Sequence, residues 1–359
     1  MKLALSVSLL AAMLSSPLHA QKVANASAEQ RQQWLKRFPQ ADTNQDGTLS
    51  NDEAAAFYKQ LKSKKQRGTS ANTNLPSPSH ANVSYGDHPN NKLDLWLAKS
   101  DKPTPLIVFI HGGGFVGGDK SSVGSGIVQQ ALTHGVSIAS INYRFRTEAA
   151  INVVLRDCAR AVQFLRSKAG EWNLDRARVA AMGGSAGAGA SLWLAFHDDL
   201  ADPQAVDPVL RESTRIVAAV SNAGQATYDV MRWHEVLGSD EVLKYFSEEE
   251  APKFYGLKTM AELNSDEGKR LRADADMLGL ISKDDPPVLL SANARHYGLK
   301  DRSDINHTPK HSEAVKKRCD EVGVPAILHV TGGTGDAPSE SGSGIDFLLS
   351  KLGAAKSQE

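Results

Sequence analysis

The residues with the most chemistry in them are Ser185 and the small residues around it. Gly183-Gly184-Ser185-Ala186-Gly187 follows the apolar run Val179 to Met182 and leads into Ala186 to Phe196, which has a helical pattern. This is a Gly-x-Ser-x-Gly turn, where a serine occupies a strained strand-to-helix corner and small neighbours let the backbone turn sharply. A serine so placed is a nucleophile for acyl transfer, provided that a base takes its proton. A second turn, His111-Gly112-Gly113-Gly114, follows the apolar run Leu106 to Ile110. It has the form of a loop whose amides receive the oxyanion of such a reaction.

These turns need a rigid scaffold, and the pattern from Val83 onward supplies one. Short apolar runs alternate with helical periodicity, which predicts an α/β architecture: a mostly parallel sheet with helices on both faces. Eight strands are expected, at Val83 to Tyr85, Leu93 to Leu97, Leu106 to Ile110, Ser137 to Asn142, Val179 to Met182, Ile216 to Ser221, Val288 to Ser291 and Ile327 to Val330. Helices are expected at Ser125 to Thr133, Val153 to Lys168, Ala186 to Phe196, His311 to Val322 and Ile345 to Leu352. Both glycine turns then stand at the carboxyl ends of strands, where open α/β sheets bind ligands. The stretch 224–282 separates two strands by far more than a tight turn and is a candidate cap over the site. Its Tyr228, Trp233, His234, Tyr245, Phe246 and Tyr255 form either an aromatic binding surface or the segment's own core.

With His111-Gly-Gly-Gly-Phe115, Gly117-Gly118-Asp119-Lys120, Asn142-Tyr143-Arg144, the turn at Ser185 and Asp285-Pro286-Pro287, the chain resembles the α/β-hydrolase family, in particular its hormone-sensitive-lipase and acetyl-esterase branch. The resemblance runs from Val83 to Leu352 and weakens after Pro287. It implies an α/β-hydrolase fold, a carboxylic-ester hydrolase of the serine type with no cofactor for the chemistry, Ser185 as nucleophile, and oxyanion donors at Gly113, Gly114 and Ala186.

The family places its acid after the seventh strand and its histidine after the eighth. Here no histidine follows Val330, and no carboxylate stands between Leu290 and Asp301. His307, in the polar stretch 301–308 after the seventh strand, is the expected base, with Asp304 three residues earlier as the group that orients it. Triads are defined by geometry and not by chain order. His296, His311 and His329 are the other candidate bases, and Asp301 and Asp229 the other candidate acids. A hydrolase with no catalytic histidine, acting as a binding or scaffold protein, is the competing expectation.

In front of this domain, 42–53 reads as a twelve-residue EF-hand calcium loop. Asp42, Asn44 and Asp46 supply side-chain oxygens, Gly47 makes the turn, Thr48 offers its carbonyl and Glu53 clamps the ion. The segment also resembles the calcium loops of dockerin-like modules, which come as two repeats. Helical patterns flank it at Ala28 to Phe38 and Asp52 to Lys62, forming a small N-terminal helical EF-hand segment. Residues 1–20 have the shape of a secretory signal, with Lys2, an apolar stretch and a small residue at Ala20. The expected organisation is a signal at 1–20, the calcium segment at 21–62, a linker at 63–82 and the hydrolase domain at 83–359, in a protein exported to periplasm or medium.

The 359 residues and 41% hydrophobic content suit one large domain and a small appendage. Basic and acidic residues balance at 41 each, which argues against direct nucleic-acid binding. No segment after the signal is long and apolar enough to span a bilayer. The two cysteines, Cys158 and Cys319, lie on apolar helix faces and read as buried thiols. The partner expected is a small-molecule or carbohydrate ester; oligomeric state is not encoded in any pattern seen.

Overall fold

The computed structural model describes residue 35, residues 41–43, 46–50 and 53, and residues 75–332 and 343–354. The chain divides into two compact units, Met1–Thr73 and Asn74–Glu359. The signal at 1–20, most of the flanking helices at 28–38 and 52–62, linker residues 63–74 and metal-ligand candidate Asn44 lie outside the described residues.

In the larger unit all eight expected strands form, as β1 His80–Ser84, β2 Lys92–Trp96, β3 Thr104–Ile110, β4 Ser137–Ile141, β5 Leu174–Gly184, β6 Ala219–Asn222, β7 Val288–Asn293 and β8 Ala326–Thr331. They make one sheet in the order β1-β2-β4-β3-β5-β6-β7-β8. β2 runs antiparallel to both neighbours, and every pair from β4 to β8 is parallel. The helices are α1 Ser125–Thr133, α2 Ile151–Ser167, α3 Ala169–Trp172, α4 Ala186–Phe196, α5 Trp233–Leu237, α6 Glu250–Phe254, α7 Met260–Asn264, α8 Asp266–Asp274, α9 Met277–Leu280, α10 Arg302–His307, α11 Pro309–Val322 and α12 Gly344–Lys351. This is the α/β-hydrolase fold.

The strand pleat explains how one sheet carries two cores. Leu106, Val108 and Ile110 of β3 face a cluster with Leu155 and Val162 of α2 and Trp193 of α4. Ile107, one residue out of phase, faces Val128 of α1 and Leu348 of α12 on the other side. Both faces are covered, so β3 is continuously apolar from Pro105 to Ile110 instead of alternating. Cys158 and Cys319 are buried free thiols, and burial pushes the Cys319 thiol up to about 12.

The stretch 224–282 holds α5 to α9 and packs on α4 and α11. Tyr228, Trp233 and Tyr255 are buried, so these rings are core and not binding surface. The Tyr228 hydroxyl donates to the Ala186 carbonyl at 3.1 Å, and Trp193 Nε1 donates to the Asp274 carbonyl at 2.7 Å. Trp233, Leu237 and Val242 cluster with Ile305 of α10. The segment therefore braces α10 from one side.

Candidate active site

Ser185 joins β5 to α4 with φ +53° and ψ −118°, a left-handed conformation that a side chain rarely adopts. The corner is held by the Ser185 amide, which donates to the Asn222 carbonyl at 2.9 Å. The flanking glycines are required by close approach. A Cβ on Gly187 would stand 2.0 Å from the Ile110 carbonyl oxygen, and one on Gly183 2.4 Å from the same atom. The serine corner thus lies directly against the start of the His111–Gly114 loop. There Gly113 and Gly114 take φ of +116° and +62°, and Val116 closes the turn by donating to the Gly113 carbonyl at 3.1 Å. Tyr143 stacks on His111 and its hydroxyl donates to the His111 carbonyl at 2.7 Å. Ala186 opens α4, where first-turn amides have no partner within the helix. Gly113, Gly114 and Ala186 thus belong to the two backbone corners that meet at Ser185.

His307 meets the serine: Ser185 Oγ and His307 Nε2 are 2.8 Å apart. The other ring nitrogen lies 2.8 Å from the Ser303 carbonyl oxygen. A carbonyl only accepts, so Nδ1 carries the proton and Nε2 is left to accept from the serine. Burial holds the His307 pKa below its ordinary 6.5, against the Ser303 carbonyl, and the electrostatic influence of the neighbouring His296 and Arg295 adds to the lowering.

The polar stretch 301–308 forms α10, Arg302–His307, with Asp301 and Thr308 as its caps. Asp301 makes this possible, since its side chain caps the helix by accepting from the Asp304 amide at 2.9 Å. Helical geometry also corrects the expected partnership of Asp304 and His307. The His307 ring folds back on the preceding turn and spends Nδ1 on Ser303, while Asp304 Oδ1 bonds His296 Nδ1 at 2.8 Å and Oδ2 accepts from the Lys300 amide at 3.1 Å. Asp304 is the carboxylate of His296, not of His307. Asp229 is elsewhere, gripped by both arms of Arg272 at 2.9 and 3.0 Å.

The remaining histidines have structural partners. His311 is buried, accepts from the Ala226 amide at 3.3 Å and pairs with the Ile305 carbonyl at 3.0 Å; burial takes its pKa down to about 4. It holds α10 to the chain after β6. His329 lies within β8, opposite Ser291 of β7. His296 lines the cleft, and its ring centre is 5.7 Å from that of His307.

Ser185 and His307 open into a cleft of about 480 Å³, lined also by Phe109, Gly112, Ala223, Asn293, Arg295, His296 and Ser303. None of these comes from 224–282, so the expected cap does not line the described cleft. Sequence reasoning missed the Ser303 carbonyl and Arg295. A main-chain oxygen leaves no trace in a residue pattern, whereas Arg295 follows the end of β7, an edge where ligand-binding residues gather.

In the N-terminal unit, Gly47 has φ +78°. Asp42 accepts from the amides of Asp46 and Gly47 at 3.2 and 2.9 Å, and Asp46 accepts from the Thr48 amide at 2.8 Å. Glu53 receives Thr43 and Ser50, which hold its carboxyl at about 2, first through the Ser50 hydroxyl. Among the described residues no three His, Cys, Asp or Glu side chains gather into a metal-binding group.

Solved structures share the architecture. A truncated carbohydrate esterase from gut microbiota superposes with a TM-score of 0.59 at 18% identity, covering 77% of this chain and 100% of that one. An acetyl ester-xyloside bifunctional hydrolase from Caldicellulosiruptor lactoaceticus gives 0.54 at 20% identity, covering 78% and 96%. At such identities the likeness concerns the fold. By sequence, the chain is 36% identical over 107 residues to a probable isoprenylcysteine alpha-carbonyl methylesterase of Arabidopsis thaliana, covering 30% of this chain and 22% of the relative. It is 31% identical over 107 residues to esterase LipC of Mycobacterium tuberculosis, covering 29% and 27%. The matches thus span about a quarter of these relatives' own length. The family match is broader, reaching from β2 past the serine corner and β7 to Arg295: over residues 93–295, more than half of its length, the chain belongs to the BD-FAE family.

Proposed function

We propose that the protein is an exported carboxylic-ester hydrolase that forms an acyl-enzyme on Ser185. The observation that carries this reading is the 2.8 Å approach of Ser185 Oγ to His307 Nε2, with Nδ1 committed to the Ser303 carbonyl. His307 takes the serine proton as Oγ attacks the acyl carbonyl, and the amides of Gly113, Gly114 and Ala186 receive the oxyanion. His307 then gives the proton to the departing alcohol, and a water activated by the same ring releases the acid. The depressed pKa of His307 keeps the ring neutral and ready to accept. The Ser303 carbonyl does part of what a carboxylate does in a triad: it selects the tautomer and steers the ring, with less stabilisation of the imidazolium.

The esterase names among the relatives and the carbohydrate esterase among the structural neighbours support ester substrates. A carbohydrate-ester deacetylase, within the hormone-sensitive-lipase and acetyl-esterase branch, is the finer form of the proposal. Export rests on the pattern of 1–20. One experiment addresses both parts: treat the protein recovered from the envelope or medium with a fluorophosphonate and map it by mass spectrometry. The adduct is expected on Ser185, absent in Ser185→Ala, on a chain that begins at Gln21. A native protein that never labels and cleaves no ester supports a silent scaffold, and a chain retaining Met1 counts against signal removal.

Calcium in the Asp42–Glu53 loop belongs to the same proposal. The positive φ of Gly47, the amide bonds to Asp42 and an all-oxygen donor set suit a hard cation. Asp42, Asn44, Asp46, the Thr48 carbonyl and Glu53 would hold it, stabilising the segment without entering the chemistry. Calcium at ten to a hundred times its Kd is expected to stabilise this unit by about 1.4 to 2.7 kcal/mol. A melting temperature that is the same in chelator and in calcium, with no ion bound by calorimetry, would sink the idea.

A further inference from the structure

Arg295 stands out among the cleft residues because of its charge. Its amide is fixed by the Asn293 side chain at 3.0 Å, and its guanidinium Nε donates to His296 Nε2 at 2.9 Å. To accept there, His296 must carry its proton on Nδ1, the nitrogen that bonds Asp304 at 2.8 Å. The imidazole and carboxylate of this pair are 13% and 15% exposed. A well-packed Asp304–His296 unit is therefore spent on holding the Nε edge of one arginine at the mouth of the serine cleft.

Among the described residues, the rest of that guanidinium has no partner. Elsewhere Arg144, Arg215, Arg232 and Arg272 each meet a carboxylate. Among the described residues none lies within ion-pair distance of Arg295, although its side chain is exposed and lines the same cleft as Ser185 and His307. Two η nitrogens with their donors free form a fork that matches the two oxygens of a carboxylate.

We propose that Arg295, held by His296 and Asp304, is a specificity-determining residue that selects esters carrying a carboxylate near the scissile bond. This rests on the reading of Ser185 and His307 as an esterase site. The substrate class is an ester of an acidic compound, such as an acylated hydroxy acid or an acylated uronic acid unit.

The test compares esters of matched shape. The purified protein is assayed on 4-acetoxybenzoate and its neutral isostere 4-acetoxybenzamide, and on p-nitrophenyl hemiadipate and p-nitrophenyl adipamate, which place the charge on the alcohol and acyl sides. A charge-assisted contact at an exposed site is expected to favour the acid in one pair by about five- to twentyfold in kcat/KM, lessened by salt. Arg295→Gln is expected to bring that ratio to about one, and Arg295→Lys to restore part of it. The ratio is internal to each variant, so a general loss of activity does not affect it. If both pairs are cleaved with ratios near one, or if Arg295→Gln keeps the preference, this inference fails and the esterase reading stands. Cleavage of none of the four esters, with no phosphonate adduct on Ser185, overturns both.

Discussion

His307→Ala is expected to lower kcat/KM on p-nitrophenyl acetate by about 10³- to 10⁶-fold, the scale seen when the base is removed from a serine hydrolase site. Asp304→Asn is expected to cost less than about tenfold, because its carboxylate reaches His296 and leaves His307 to the Ser303 carbonyl. The contrast is the informative part. A triad in which Asp304 served His307 would lose activity in both variants, as replacement of the orienting acid costs about 10⁴-fold where it touches the base directly. The pH profile adds a second check. Since His307 must be neutral to accept a proton and its pKa lies below 6.5, activity is lost only as pH falls through that lowered value. The acid limb of kcat/KM is therefore expected below pH 6.5, with a plateau above it. An acid limb at or above pH 7, or full activity in His307→Ala, would remove His307 from the mechanism.

Gly187→Ala is expected to destabilise the hydrolase unit by about 3 kcal/mol or more, beyond the usual cost of overpacking, and to abolish activity in whatever folds. The added Cβ would meet the Ile110 carbonyl oxygen at 2.0 Å and the His111 carbonyl oxygen at 2.7 Å. Both are backbone atoms of the strand end and loop that carry Gly113 and Gly114, so no rotamer change relieves the contact. Relief requires the serine corner and the 111–114 loop to separate. Gly184→Ala is the control: its nearest contact would be 4.0 Å away, and only a small loss is expected. Urea or thermal unfolding of the two variants decides the matter, with equal stability counting against the close-approach argument.

Much of this protein was legible in its residues. The eight strands and the helices at 125–133 and 186–196 follow from apolar runs and period, which are local properties, and their order yields the α/β-hydrolase sheet. The two glycine turns were readable because tight backbone corners leave a local mark. The place of Arg295 in the cleft, the pairing of Asp304 with His296 and the role of 224–282 were not, since each depends on how side chains meet in space and not on a local pattern.

The base shows the division most clearly. By itself the sequence determined that a serine corner and a glycine-rich loop face one edge of a parallel sheet, and that no histidine follows the last strand within residues 331–359. Only the tertiary structure decided which of the remaining histidines reaches the serine. Gln225 bonds the Asn306 carbonyl at 2.7 Å, His311 bonds the Ile305 carbonyl and Trp233 packs on both His311 and Ile305. These contacts set the position of α10, and hence the 2.8 Å between His307 and Ser185. They come from residues up to 81 positions away in the chain, where neither propensity nor periodicity carries information, because propensity acts through the local backbone and packing acts through space.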